Sequence, residues 1–135
     1  MFLLDTMVIS ETGKRTPDPR IQSWIEATNQ DLLYLSVISL GEIAAGIEAK
    51  RLSDPLFSRR LDQWSTDLRN DFRKRTFSIT TEIALRWGRL IVLLKRRDMD
   101  LLIAATALEH DLTVVTRNIR HFEPTGAKLL NPYET

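Results

Sequence analysis

The chain has no cysteine, two histidines, and only five glycines and five prolines in 135 residues. The lack of cysteine excludes a disulfide framework and a thiol nucleophile. It also suits a reducing cytoplasm, where the protein is expected to reside. His110 and His121 are too few for a His-rich zinc site. No run approaches the ~20 apolar residues of a membrane span, and no basic region precedes the apolar start, so no membrane segment or signal peptide is expected. Phosphate-binding loops of the G-x-x-x-x-G-K-[ST] or G-x-G-x-x-G type are missing, as is the G-x-S-x-G elbow of serine hydrolases. Neither charge is in excess: 19 Lys and Arg stand against 18 Asp and Glu, for a formal net charge of +1. Bulk charge therefore does not drive binding to nucleic acid.

What is there is the composition of an ordinary soluble protein, 43% apolar and 27% charged. A chain of this length buries a core without staples, and is read as one domain over residues 1–135. "MFLLD" reads as a buried strand, followed by a short helix ending near Gly13. "DPRIQSWIEATN" reads as a helix capped by Asp18, with Pro19 in its first turn. "LLYLSVI" is a second strand, and Leu40, Ile43, Ala44 and Ile47 mark a helix over about 40–51 by their i, i+3, i+4, i+7 stripe. Two long helices follow, one from "DPLF" and one over about 80–96, with "RTFSIT" as a short strand between them. "LLIAATAL" is apolar around most of its circumference and marks a central helix; "LTVVT" is a third clear strand and "AKLLN" a last one. Such alternation implies an α/β fold with a mainly parallel sheet covered on both faces. Ligands of such sheets bind beyond the carboxyl ends of the strands.

Trp24, Trp64 and Trp87 recur at helical spacings among apolar residues, which points to core or interface packing. His110 sits near a helix end, a favourable place for the dipole. The basic clusters Lys14–Arg15, Arg59–Arg60, Arg73–Arg75, Lys95–Arg97 and Arg117 with Arg120 read for the most part as solvated helix faces, with contact to phosphates as the functional alternative that composition does not decide.

Three acids fall where the ligand edge should lie. Asp5 ends the first strand, Glu42 stands in the first turn of the helix after the second, and Asp100 opens the buried helix leading to the third. That third strand closes on Thr116-Arg117-Asn118. Each acid has a structural reading: Asp5 and Asp100 as helix caps, worth about 1 kcal/mol, and Glu42 as the partner of Ser39 in an S-x-x-E capping box. Together they are a poor choice for stability, since two carboxylates ~4 Å apart cost about 4 kcal/mol at an effective dielectric of about 20. A divalent cation removes that repulsion. Magnesium and manganese take a few carboxylates, with water completing the shell. They lower the pKa of bound water and stabilise charge on a phosphate. An aspartyl phosphatase of the haloacid-dehalogenase type needs a second aspartate at position 7, where Met7 stands.

The stretches "LLDTMVISE", "ISLGEIAAGI" and "MDLLIAATALEHDLTVVTRNIRHFEPTGAKLLNPYE" cover essentially the whole chain in this order. They resemble the PIN-domain ribonucleases, and among them the VapC and FitB toxins of bacterial toxin–antitoxin modules. The resemblance implies a PIN-like three-layer α/β sandwich with a central sheet of four to five strands. It also implies RNA cleavage that depends on Mg2+ or Mn2+. By position, Asp5 and Asp100 match the metal-binding aspartates, Glu42 their acidic partner, and Thr6 the hydroxyl residue after the first aspartate. Given such a substrate, the basic side chains Lys14, Arg15, Arg117 and Arg120 are expected to hold the RNA backbone. The implied partners are a second copy of the chain and a cognate VapB-like antitoxin, whose C-terminal segment occupies the toxin groove. DNA is reached only through the antitoxin.

Two positions depart from the family pattern. Met7 stands where relatives often carry asparagine, and His121 stands where they often carry aspartate. Asn118 is left as a polar neighbour that offers an amide oxygen, and His121 as a group for a phosphate or a metal-bound water. The alternative reading is a catalytically impaired PIN-fold module that binds antitoxin or RNA without cleavage.

Overall fold

Strands covered by helices on both faces need apolar residues at most positions, and the central strands meet this with Leu3, Leu4, Leu33, Leu35, Val114 and Val115. In the computed structural model, which describes residues 1–134, five short strands form one sheet in the order β3-β2-β1-β4-β5. They are β1 (Phe2–Leu4), β2 (Leu33–Ser36), β3 (Thr76–Phe77), β4 (Thr113–Val115) and β5 (Lys128–Leu130). Every pairing is parallel, with Phe2 opposite Leu33 and Thr113, and Val115 opposite Leu130. The sheet is wholly parallel, at the upper end of the expected strand number.

Alternation along each strand sends successive side chains to opposite helical layers. Leu3, Val114 and Leu129 face one layer, α5 (Thr81–Leu94) and α6 (Asp100–His110). Leu4, Leu33, Leu35, Val115 and Leu130 face the other. That layer holds α1 (Thr6–Glu11), α2 (Pro19–Ala27), α3 (Val37–Ser53) and α4 (Pro55–Asp71). Leu3, Leu35, Val114 and Val115 are wholly enclosed, and burying such a side chain contributes ~1.5–3 kcal/mol. Helix α6 is the central one: all seven residues from Leu101 to Ala107 are buried. A one-turn helix α7 (Ile119–Phe122) leads from β4 towards β5.

Local chemistry accounts for most boundaries. Asp18 caps α2 by accepting the Arg20 amide at 2.9 Å, with Pro19 in the first turn as expected. Asp54 stops α3 and caps α4, accepting from the Phe57 amide at 3.2 Å. Thr80 caps α5. The S-x-x-E box is not formed. Ser36 is the cap of α3, accepting from Ile38 N at 3.1 Å, so the helix starts at Val37 rather than near Leu40. Ser39 and Glu42 consequently lie inside the helix, and Glu42 stands in its second turn instead of its first.

The tryptophans pack as expected. Trp24 meets Phe2 edge-on at 5.3 Å, Trp64 donates to Thr12 Oγ1 at 3.2 Å, and Trp87 packs on the α5–α6 core. His110 ends α6 and stacks on Phe77 at 4.0 Å. Of the basic clusters, "RKR" has a structural member. Arg75 donates to the carbonyls of Leu33 and Asp71 at 2.7 and 3.1 Å, tying the start of β2 to the end of α4.

Candidate metal centre at the β1–β4 edge

The strand order reverses between β1 and β4: the chain proceeds outward through β2 and β3, then returns to the other side of β1. Parallel sheets leave a crevice at such a switch point, beyond the strand ends. Asp5 and Thr116 are the residues that follow β1 and β4 there. The Asp5 amide donates to Val115 O at 3.0 Å, and its carbonyl accepts the amides of Val8 and Ile9, starting α1. The Asp5 side chain does not cap that helix. Instead Oδ2 accepts the Thr116 hydroxyl at 2.8 Å. Asp5 is 3% exposed, and its pKa is raised from 3.8 to about 6. Burial is the main cause, and the nearby charges of Asp100 and Glu42 add to it, against the lowering effects of the Thr116 hydroxyl and the Thr6 amide.

Thr6 organises the second acid. Its Oγ1 lies 2.7 Å from Glu42 Oε1 and 2.8 Å from Ser39 Oγ. A hydroxyl carries one proton and a carboxylate only accepts. The Thr6 proton therefore goes to Glu42, and Ser39 donates to Thr6. Glu42 itself is exposed, on the side of α3 that faces α1. Met7, in the same turn as Thr6, is 62% exposed and presents an apolar side chain beside this pair.

Asp100 opens α6 but caps nothing; the capping position is Met99, in helical conformation. The Asp100 carboxyl is half-buried and its pKa is raised, chiefly by burial, with the charges of Asp98 and Glu42 also pushing it up. His121 Nε2 approaches its Oδ2 at 3.1 Å. His121 thus reaches the acids from α7, as its place in "TRNIRHF" suggests. Asn118 is exposed, and its backbone N–H, not its side-chain amide, donates to Thr116 Oγ1 at 3.0 Å, so its main chain supports Asp5 through one intermediary.

Sequence reasoning missed two contributors. Asp98 Oδ1 lies 3.3 Å from His121 Nε2, and Arg96 grips Asp98 through Nε at 2.6 Å and Nη2 at 3.0 Å. Arg96 holds the Asp98 carboxyl down to about 2. The signal was the D-x-D spacing in "DMD" at the mouth of the buried helix. Asp98, Asp100 and His121 each offer a ligand atom within 4.8 Å of the others. Asp5, Glu42 and Asp100 form a looser set that shares an edge and a mutual field. The basic residues expected to line the edge are partly engaged: Lys14 with Glu11 at 2.7 Å, Arg15 with Asp54 at 3.1 Å, and Arg117 over the Tyr133 ring at 4.3 Å.

No helix among the described residues is long and apolar enough to cross a membrane. The PIN domain model matches residues 2–127. The chain is 33% identical to a plasmid stability protein, StbB, of Pseudomonas syringae pv. tomato, over 99% of both chains. It is 32% identical to a VapC ribonuclease, Y4jK, of Sinorhizobium fredii, again over 99% of both. In fold it is similar to the crystal structure of FitAcB from Neisseria gonorrhoeae, with a TM-score of 0.87, 27% identity and 100% coverage of both chains. The switch-point acids, the five-stranded parallel sheet and these end-to-end likenesses place the chain in one family: it belongs to the PIN-domain proteins, of the VapC and FitB type.

Proposed function

We propose that the chain is an endoribonuclease that hydrolyses RNA phosphodiester bonds with the help of Mg2+ or Mn2+, and is the toxin of a toxin–antitoxin pair. The observation that carries this reading is Asp5: a carboxylate enclosed at the switch point, pushed up by burial and by two further acids, with no cationic side chain paired to it among the described residues. Hard oxygen donors of this kind fit a divalent cation. Asp5 and Asp100 would hold it, with Glu42 completing the acidic edge. When bound, such an ion lowers the pKa of a coordinated water and offsets the charge that grows on the scissile phosphate.

The chain's own residues supply orientation. Thr116 fixes the Asp5 carboxylate, and Thr6 with Ser39 fixes Glu42. The Asn118 backbone N–H steadies Thr116. Arg117 and Arg120, exposed around the start of α7, and Lys14 and Arg15 beyond α1 are the basic side chains this reading assigns to the RNA backbone, with Lys14, Arg15 and Arg117 exchanging their present partners for phosphates. A groove of about 230 Å³ runs from Glu42 between α3 and α4, floored by Ile43, Ile47, Phe57 and Leu61 and edged by Lys14 and Lys50. Its apolar floor beside the acids supports docking of an antitoxin segment there. The relative named as a VapC ribonuclease supports RNA as substrate.

The test is cleavage of a mixed RNA pool by antitoxin-free protein with Mg2+, Mn2+ or chelator, beside Asp5→Asn and Asp100→Asn. Cutting that needs metal, is lost in both variants and is stopped by added antitoxin is the expected result. Folded protein that binds RNA but cuts none under either metal would contradict the nuclease and favour a binding module.

A further inference from the structure

Two methionines stand in water beside the acids. Met7 is mostly exposed, and Met99 is 40% exposed. Neither thioether serves the core: Val8 and Ile9 give α1 its buried face, and the run from Leu101 to Ala107 gives α6 its own. The backbone under each is nevertheless fixed from both sides. Before Met7, Thr6 is bonded to Ser39 and Glu42; after it, Val8 is wholly enclosed. Before Met99, Asp98 is gripped by Arg96; two residues after it, Leu101 is wholly enclosed.

A lone exposed apolar side chain is ordinary. These two share one edge. Met7 follows Thr6, which holds Glu42, and Met99 directly precedes Asp100. Consecutive Cα atoms lie ~3.8 Å apart, so each methionine stands one residue from a member of the acidic edge. Val37, also exposed, adds a third apolar side chain where β2 gives way to α3.

We propose that Met7 and Met99 are specificity-determining residues that clasp a nucleobase next to the scissile phosphate, so that the preferred substrate is RNA unpaired at that position. The proposal deepens the ribonuclease reading and rests on it. A phosphate drawn to Asp5 and Asp100 brings its own nucleoside within reach of their neighbours in the chain. The face of a base is its apolar part, and a thioether is polarizable and makes favourable contacts with aromatic rings. In a duplex that face is covered by the stacked neighbours, so a base must leave the stack to be held. Methionine is among the apolar side chains that wedge between base steps. Its unbranched stem adapts to purine or pyrimidine, which makes the clasp tolerant of base identity. The tryptophans, which stack more strongly, are packed against the core instead. Contact with a neutral base also adds attraction at an edge whose carboxylates repel phosphates, and does so without releasing counterions.

The experiment measures binding of the full chain, carrying Asp5→Asn to keep the RNA intact, to short unstructured RNAs that each hold one abasic position. At one position the missing base should weaken binding by roughly threefold or more. Met7→Gln or Met99→Gln should lose a similar factor and become insensitive to that abasic position. Met7→Leu and Met99→Leu should behave as the methionine protein does. The dependence of affinity on salt and the denaturation midpoint should stay unchanged in all four, since no cation and no buried contact is removed. A duplex of the same sequence should bind without regard to either methionine. Gln and Leu variants that bind alike, or an abasic penalty that persists in both Gln variants, overturn the proposal; the nuclease reading stands if the Asp5 protein still cuts RNA. A base contact governed by the methionines in a chain whose Asp5 form cuts no RNA with Mg2+ or Mn2+ supports the clasp and counts against the nuclease. Failure of every variant to bind RNA overturns both.

Discussion

Asp5 is a liability to the metal-free protein. Its carboxyl titrates near about 6 in the fold, against 3.8 for an ordinary side chain, mainly because burial disfavours the charged form. An acid raised in this way binds more protons folded than unfolded, so stability falls as pH climbs through that window and stays low above it. The full effect is about 3 kcal/mol, at 1.36 kcal/mol for each tenfold change in proton affinity. Chemical denaturation of the metal-free protein should therefore show Asp5→Asn more stable than the parent at pH 8, by up to that amount, and the gap closing near pH 4. A gap that does not change with pH would mean that the carboxyl is not the strained group. Asp5 and Asp100 were legible in the sequence because the first interrupts an apolar run and the second opens one. Their partners were not. The Thr116–Asp5 bond joins residues 111 positions apart, and Arg96 and Asp98 read as members of a solvated charge run until the fold turns them towards His121.

At the scale of elements, the chain was readable wherever apolar spacing or a capping residue announced the structure. Asp18-Pro19 and Asp54-Pro55 mark the starts of α2 and α4. The errors fell where tertiary context overrode local preference. Val37 and Ile38 are β-branched and extend the look of β2, yet the ladder ends at the Ser36–Phe77 pair and Ser36 turns the chain into α3. Helix ends were harder still, because α5 and α6 stop on Lys95 and Asp111 at φ of 55° and 54°, where glycine usually announces a left-handed stop. The turn after α1 is set by packing. A β-carbon on Gly13 would stand 2.8 Å from Trp64 Cδ2, so Gly13→Ala must displace the indole that joins α1 to α4. Overpacking of this kind costs ~1–3 kcal/mol. A lowered denaturation midpoint with an altered Trp64 fluorescence is expected; an unchanged midpoint would show that the indole yields freely.

At the scale of the whole molecule, one topological fact places the chemistry. The order in which strands are added to the sheet reverses between β1 and β4, and the acids, their hydroxyl partners and the His121 helix all converge on that edge. The expected homodimer has a face available elsewhere. Trp24 and Trp64 are absorbed into the core, whereas Leu85, Val92 and Leu93 of α5 are 59%, 78% and 72% exposed. Leu85 and Val92 lie two turns apart on one stripe. We propose this stripe as the contact with a second copy. Light scattering should give a dimer for the parent and a monomer for Val92→Glu, and a dimer for both would place the contact on another surface. The central claim, a divalent cation held at the switch point, is tested most directly by anomalous scattering from crystals soaked in Mn2+. The account predicts a peak within about 2.5 Å of carboxylate oxygens of both Asp5 and Asp100. Well-ordered carboxylates with no peak between them at saturating Mn2+ would contradict it.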